Sequence, residues 1–183
     1  MKLSVTGPLL SLAALASAQG AQAQQNCVEA ADLSDTVTYA MPILYDSLGT
    51  SCDARFSKSE FMRTRAADFV DEFRSRQDAA WPGTLRLMKT FMASKAAKSG
   101  SGDDEMAALI GAMPDESLRP FVDAMVGQMI NQKIASTIKP NTCDDIAEAM
   151  ELLAPLPPEN IAGLFTFILR QSDIEDPALC PSG

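Results

Sequence analysis

Helix boundary signals recur along this chain, while no stretch alternates apolar and polar residues as a half-buried strand does. Apolar residues recur instead three or four positions apart, which is the spacing of one face of an α-helix. Prolines, a Gly-Ser turn at 98–102 and a Ser-Lys-Ser-Glu capping sequence at 57–60 separate the apolar segments. The pattern therefore predicts an all-α protein, a compact bundle of about six or seven helices that ends in a helical hairpin and is closed by disulfides.

The first predicted helix runs from Val28 to Leu48 and ends at Gly49, a residue type that favours the left-handed conformation after a helix. Pro42 inside it predicts a kink or a break, because proline lacks a backbone donor and clashes with the preceding turn. Further helices are expected from Ser57 as N-cap, from Trp81-Pro82-Gly83, from Asp103 to Met113, from Pro120 to Ile138, and as a closing hairpin from Thr142 to Leu153 and from Ile161 to Ser172.

The N-terminus has the pattern of a secretory signal peptide. A lysine follows the initiator, and the run from Leu3 to Ala18 is apolar or small. Small residues at Ala21 and Ala23 suit signal peptidase, so residues 1–23 are predicted to be removed, with cleavage after Ala18 as the alternative. The protein is therefore expected to be exported, to the periplasm or to the medium, and to be soluble after cleavage.

Residues 24–183 form one predicted helical domain with an irregular tail at 173–183. Without Lys2 the chain has 14 basic and 24 acidic residues, a net charge of −10. Nucleic acid and anionic membranes are therefore not expected as partners, since both attract a positive surface. No later apolar segment reaches the length of about 18 residues that a membrane span needs, so no transmembrane segment is expected.

The residue types of most catalytic and metal sites are missing from the sequence or are wrongly spaced. The chain has no histidine, and its four cysteines form no Cys-x-x-Cys pair. The carboxylates of Asp68 and Glu72, and those of Asp103–Glu105, have the spacing of solvated helix faces rather than of two groups facing each other across a cleft. We therefore expect no catalytic residue, no metal ligand and no cofactor.

Methionines form two i, i+4 pairs, Met88 with Met92 and Met125 with Met129. Their thioethers could bind Cu(I) or shape a flexible face for a small apolar ligand. Core packing explains them as well, because leucine, phenylalanine and isoleucine share the same helix faces. Core packing is the preferred interpretation, and these four residues are the predicted location of an apolar ligand face if the protein has one.

Four cysteines in an exported chain predict two disulfides, and three pairings exist. The antiparallel hairpin brings Cys143 near Cys180, which leaves Cys27 to pair with Cys52, and this pairing is preferred. It requires a break in the first helix, because a bridge needs Cα atoms within about 7 Å of each other. If that helix is continuous, Cys27–Cys180 with Cys52–Cys143 becomes the better assignment.

Three short segments carry a resemblance to known proteins. They are Met41-Pro42-Ile43-Leu44 before Cys52, the Trp81-Pro82 pair, and the stretch from Leu153 to Asn160. In these the chain resembles a group of small exported alphaproteobacterial helical proteins that bear cysteines and have no assigned activity. The resemblance implies an exported helical domain, and it implies no site.

These observations favour an exported, non-catalytic binding or interaction protein, whose partner is an unknown protein or a small apolar ligand. The second hypothesis is a carrier that holds a small apolar ligand between Met- and Phe-lined helices. The third is a hydrolase that uses aspartate or glutamate. An exposed apolar surface would favour the first, a ligand-sized cavity the second, and carboxylates converging in a cleft the third.

Overall fold

The computed structural model describes residues 27–99, 112–172 and 178–181. The predicted signal peptide lies outside these residues, as do residues 103–111 of the predicted Asp103–Met113 helix. The described part contains seven helices, with one isolated parallel bridge between Val28 and Leu179 as its β contact. The prediction of an all-α bundle is therefore confirmed. The helices are α1 Ala30–Phe56, α2 Glu60–Thr64, α3 Ala66–Arg74, α4 Gln77–Ser99, α5 Asp115–Thr137, α6 Pro140–Leu153 and α7 Pro158–Gln171.

Helix α1 is the centre of the fold. It has 27 residues, about 40 Å of helix, and it packs against α3, α4, α5, α6 and α7. The predicted end at Gly49 is wrong, because Leu48, Cys52 and Phe56 continue a buried stripe at four-residue spacing through the glycine. Pro42 lies buried inside the helix and does not interrupt it.

The start of the second helix differs from the prediction by two residues. Ser57 follows the end of α1, and its hydroxyl donates to the Ala54 carbonyl at 3.3 Å. Ser59 is the N-cap of α2 instead, and its hydroxyl accepts a hydrogen bond from the backbone N–H of Met62. The N-cap lies two residues later than predicted because α1 extends to Phe56 and Ser57 is its C-cap.

Helix α4 begins at Gln77, so Trp81-Pro82-Gly83 lies within a helix rather than opening one as predicted. Tertiary contacts hold this segment against α1. The Trp81 ring packs against Tyr39 with 5.3 Å between ring centroids. Gly83 faces Asp35 so closely that an added Cβ would lie 2.7 Å from the Asp35 Cβ. Helix packing therefore outweighs the helix-boundary signal that proline and glycine give in the sequence.

Two apolar clusters form the core. The larger joins α1, α2, α3, α6 and α7 and includes the fully buried Phe61, Val70, Phe73 and Ile161. The smaller lies between α4 and α5, where Leu85 and Leu118 are buried against Trp81 and the methionines. No helix in the described part is both long and apolar enough to cross a membrane.

The closing hairpin is confirmed, but the preferred disulfide pairing is wrong. Cys27 is bonded to Cys180, and Cys52 is bonded to Cys143. Continuous α1 separates Cys27 from Cys52 by more than 30 Å at about 1.5 Å per residue, far beyond the reach of a bridge. Cys180 instead returns to the start of the chain, where its N–H donates to the Val28 carbonyl at 3.0 Å.

Candidate functional site

An apolar groove with a volume of about 260 Å³ opens between α1, α6 and α7. Its lining side chains are aliphatic, aromatic or thioether-bearing. We call this feature the apolar groove. Its walls are Met41, Leu44, Tyr45 and Leu48 of α1, Ile146, Ala149, Met150 and Leu153 of α6, Phe165 of α7, and Ile138.

The two long walls of the apolar groove arise from the same sequence pattern. In both α1 and α6 the lining residues recur at i, i+3, i+4 and i+7, which places them on one face of a helix. Cys52 lies one turn after Leu48 and Cys143 one turn before Ala147, so the buried Cys52–Cys143 bridge ties the two helices together beside the groove. The disulfide therefore limits how far the walls can separate.

Large apolar side chains remain exposed next to the apolar groove. On α7, Leu164 is 42 % exposed, Phe167 60 % and Ile168 49 %, and on α6 Leu152 is 71 % exposed. We call Leu164, Phe167 and Ile168 the outer face of α7. Neighbouring exposed apolar side chains of this size are typical of interaction surfaces rather than of free monomer surface.

The surface of α6 beside the apolar groove is negative. The helix carries four carboxylates and no lysine or arginine. Asp144 pairs with Arg55 at 2.9 Å, and Glu151 pairs with Arg65 at 3.3 Å. Asp145 and Glu148 are exposed and have no cation paired with them in the described part of the chain. Asp145 lies one turn before Ala149 of the groove wall, so this carboxylate borders the groove, while Glu148 adds negative charge farther round the helix.

A polar network links α1, α4 and α5 through Tyr39. The buried Tyr39 hydroxyl donates to Asp123 at 2.5 Å, and it accepts from Arg119 Nε at 3.3 Å. Arg119 also pairs with Asp78 of α4 at 2.5 Å. Burial and the hydrogen bond to Asp123 raise the pKa of Tyr39 to about 12.

Two carboxylates of α1, Asp32 and Asp35, are the nearest match to an acid–base pair. Asp32 binds Arg86 of α4 through two guanidinium nitrogens, at 2.7 and 3.1 Å. Burial and the negative charge of Asp32 raise the pKa of Asp35, and Arg86 opposes that shift. Both carboxylates project from one helix, so they do not face each other across a cleft as glycosidase pairs do.

The other carboxylate clusters offer little to a catalytic hypothesis. Asp68 and Glu72 are exposed on α3, as expected of a solvated helix face. The cluster at 103–105 lies outside the described residues. Among the described groups that could together hold a metal ion are Cys27, Glu29 and Cys180, and both of those sulfurs are bonded in a disulfide. The two thiols of this group are therefore not free to bind a metal ion in the oxidised protein.

The predicted methionine face is only partly described. Met88 and Met92 are half-buried and pack against the cluster around Leu85 and Leu118. The side chains of Met125 and Met129 lie outside the described part. A cavity of about 360 Å³ opens nearby, but Trp81, Pro82, Leu85, Asp115 and Arg119 line it rather than Met88 or Met92.

The sequence predicts helices along both long walls of the apolar groove, but it does not predict a groove between them. Met41, Leu44 and Leu48 follow helical spacing, as do Ile146 and Met150, and this spacing is also that of an ordinary core stripe. The space between these two helix faces arises from the way in which α1, α6 and α7 pack together. Comparison with known protein families, with curated proteins and with solved structures found no match for this chain.

Proposed function

We propose that this chain is a non-catalytic interaction protein that binds a partner protein through the apolar groove. The observation that carries the proposal is the groove itself, an open apolar depression bordered by exposed aromatic and aliphatic side chains. Burying such surface on association is favourable by about 25 cal/mol per Å² of apolar area. A folded partner that inserts one or two large apolar side chains would gain this energy.

The dimensions of the apolar groove favour a protein partner over a small apolar ligand. Small-molecule pockets usually have about 300–1,000 Å³ and enclose most of their ligand. The groove has about 260 Å³, and Leu152 and Phe165 on its borders remain exposed. A carrier would shield its ligand from water, whereas a docking surface leaves its rim open until the partner binds.

The charge beside the apolar groove defines the chemistry of the partner. Asp145 and Glu148 lie on α6, which carries no basic residue, and the whole chain has a net charge of −9. A matching segment would therefore place lysine or arginine next to its apolar anchor. Complementary charges of this kind mainly raise the association rate and the specificity.

The compartment is part of the proposal. Two disulfides are the chemistry of an oxidising environment. We place the protein outside the cytoplasm, in the periplasm or the medium, after removal of residues 1–23. We also propose, from the resemblance in three short segments, that the protein belongs to the group of small exported alphaproteobacterial helical proteins.

Site-specific photo-cross-linking in the exporting host tests this function. The photoreactive residue p-benzoylphenylalanine replaces Phe165 at the apolar groove or, as a matched control, Phe91 on α4, which is similarly exposed. We expect Phe165 replacement to give one discrete protein adduct, with the cross-link in an apolar segment flanked by basic residues. We expect the Phe91 replacement not to give that adduct.

A blocking substitution decides whether the adduct reports the apolar groove. Ala149→Arg places a charged side chain against the groove wall at an exposed helical position, so the fold should be retained. The adduct should then fall at least about tenfold, since the long charged side chain would obstruct the groove wall and would have to be desolvated on docking. Ala67→Arg on α3 is the control and should leave it unchanged. An adduct that survives Ala149→Arg, or a lipid in place of a protein, would contradict the proposal.

A further inference from the structure

We propose that the outer face of α7 is a self-association surface whose partner is a second copy of this chain, bound with the two α7 helices antiparallel across a two-fold axis. Its residues are not among those that line the apolar groove, so the inference does not rest on the proposed partner. It rests on the order of exposed residues along α7 and on where the helix carries its charges.

The exposed stripe of α7 has an apolar centre and polar ends. Leu164, Phe167 and Ile168 occupy the middle, and the exposed amides Asn160 and Gln171 lie beyond them on the same side of the helix. Successive residues of this stripe lie three or four positions apart, which places them along one side of the helix. An antiparallel copy would place apolar residues against apolar residues and Asn160 against Gln171 of the partner.

The charges of α7 obey the same symmetry. Glu159 near the start and Arg170 near the end are the charged residues of the helix. Their positions differ by eleven residues, which is about 16 Å along the axis and only about 20° around it. They therefore lie on one flank, and a two-fold axis perpendicular to the helix brings each Glu159 to the Arg170 of the other copy. Parallel packing would instead set like charges side by side.

The two ends of this charge pattern differ in their contacts within the chain. Glu159 already forms an ion pair with Arg76. Arg170 is exposed and has no carboxylate paired with it in the described residues, so a second copy would supply one. Gly163 lies on the same flank, and a Cβ added there would meet no atom within 4 Å. The flank thus offers room for close approach of another helix.

A second copy fits this surface better than an unrelated partner does, because self-complementarity is a requirement of two-fold interfaces and not of others. The whole chain is acidic, but α7 itself has one positive and one negative charge. Contact between two α7 helices therefore brings no net charge of one sign together. Repulsion between the acidic groups elsewhere on the two copies is screened beyond about 8 Å at physiological salt. A contact made by a single helix lies at the low end of interface sizes, so we expect a weak association that depends on protein concentration.

Sedimentation velocity of the disulfide-bonded protein, from about 1 µM to about 500 µM, tests the inference. We expect a reversible monomer–dimer equilibrium. Phe167→Asp should abolish the dimer, while Phe91→Asp, at an exposed phenylalanine of α4, should leave it intact. Circular dichroism of each variant verifies that the helices are retained. A monomer at every concentration, or a dimer that Phe167→Asp does not weaken, would refute the proposal.

Charge reversal tests the antiparallel orientation. Arg170→Glu should weaken the dimer about tenfold, because it faces Glu159 of the other copy twice per dimer. Adding Glu159→Arg to that variant should restore most of the association, since each ion pair is then re-formed with its charges exchanged. Glu159→Arg also removes the ion pair with Arg76, so circular dichroism of Glu159→Arg alone verifies that α7 is retained. No recovery in a double variant with intact helices would show that the two residues do not meet and would overturn the antiparallel arrangement.

Discussion

Tyr39 shows how a single residue connects three elements of this fold. Its ring packs against Trp81 of α4, and its hydroxyl contacts Asp123 and Arg119 of α5. Gln77, the first residue of α4, donates to its backbone carbonyl at 2.9 Å. A polar network of this kind is stabilising only while every group keeps its partner, which makes the protonation of Tyr39 a sensitive probe.

Alkaline pH should destabilise the protein through Tyr39. Its pKa is raised to about 12 in the folded state from the ordinary value of 10, so the folded state holds the proton more tightly than the unfolded state. This stabilisation is complete below pH 10 and is lost as the pH rises from 10 towards 12. The free energy of unfolding should therefore fall with a slope of at most about 1.4 kcal/mol per pH unit from this group.

A tyrosine variant isolates this titration. The chain contains two tyrosines, so Tyr45→Phe leaves Tyr39 as the phenol that absorbance near 295 nm reports. Its midpoint should lie near pH 12 while the protein stays folded. Urea unfolding of Tyr39→Phe should lack the added slope between pH 10 and 12. Ionisation of Tyr39 near its ordinary pKa in the folded protein would show that the network with Asp123 is not formed.

At the scale of elements, two helical glycines differ in whether another helix lies close to them. Gly83 of α4 lies against Asp35 of α1, whereas Gly49 within α1 has no atom within 4 Å of an added Cβ. Both are in helix interiors, where alanine is intrinsically preferred by about 1 kcal/mol. The sign of a glycine-to-alanine change therefore reports whether two helices touch at that point.

Gly83→Ala should lower the free energy of unfolding by about 1–3 kcal/mol, because the new methyl group overlaps the Asp35 side chain and pushes α4 from α1. Gly49→Ala, the matched control, should raise it by about 0.5–1 kcal/mol. Urea titration followed by circular dichroism measures both. A Gly83→Ala variant as stable as Gly49→Ala would contradict the close contact of the two helices.

At the scale of the whole molecule, the two disulfides have different surroundings. Cys52 and Cys143 are 1 % and 2 % exposed, inside the main core. Cys27 and Cys180 are only partly buried and join the two ends of the described chain. The buried bridge positions α1 against α6 beside the apolar groove, and the outer bridge holds the tail near Val28.

Mild reduction of the folded protein should therefore open Cys27–Cys180 first, because thiol–disulfide exchange requires access of a thiolate to the sulfur. Cys52–Cys143 should resist until the protein unfolds. Iodoacetamide labelling followed by peptide mapping measures the order. Removing the inner bridge with Cys52→Ser and Cys143→Ser should cost about 4 kcal/mol by the loop-entropy estimate. Labelling of Cys52 and Cys143 before the outer pair would contradict the burial of the inner bridge.

The helical class, the closing hairpin and the involvement of all four cysteines in disulfides were predictable from the sequence, because helical periodicity and an even cysteine count are local or compositional signals. Helix ends were less predictable. Gly49 predicts a helix end, yet α1 continues because Cys52 and Phe56 are buried beyond it. Trp81-Pro82-Gly83 predicts a helix start, yet the helix begins earlier, where the contact of Trp81 with Tyr39 holds it against α1. Local propensities of about 1 kcal/mol lose to packing energies several times larger.

The sequence by itself thus determined which residues lie on apolar helix faces and which functional classes lack their residue types. Tertiary structure alone decided three things: that α1 is continuous, that Cys27 therefore bonds Cys180 and Cys52 bonds Cys143, and that the stripes of α1, α6 and α7 leave an open groove. The physical reason is that spacing along a helix defines a face, whereas the distance between two faces depends on how all the helices pack together.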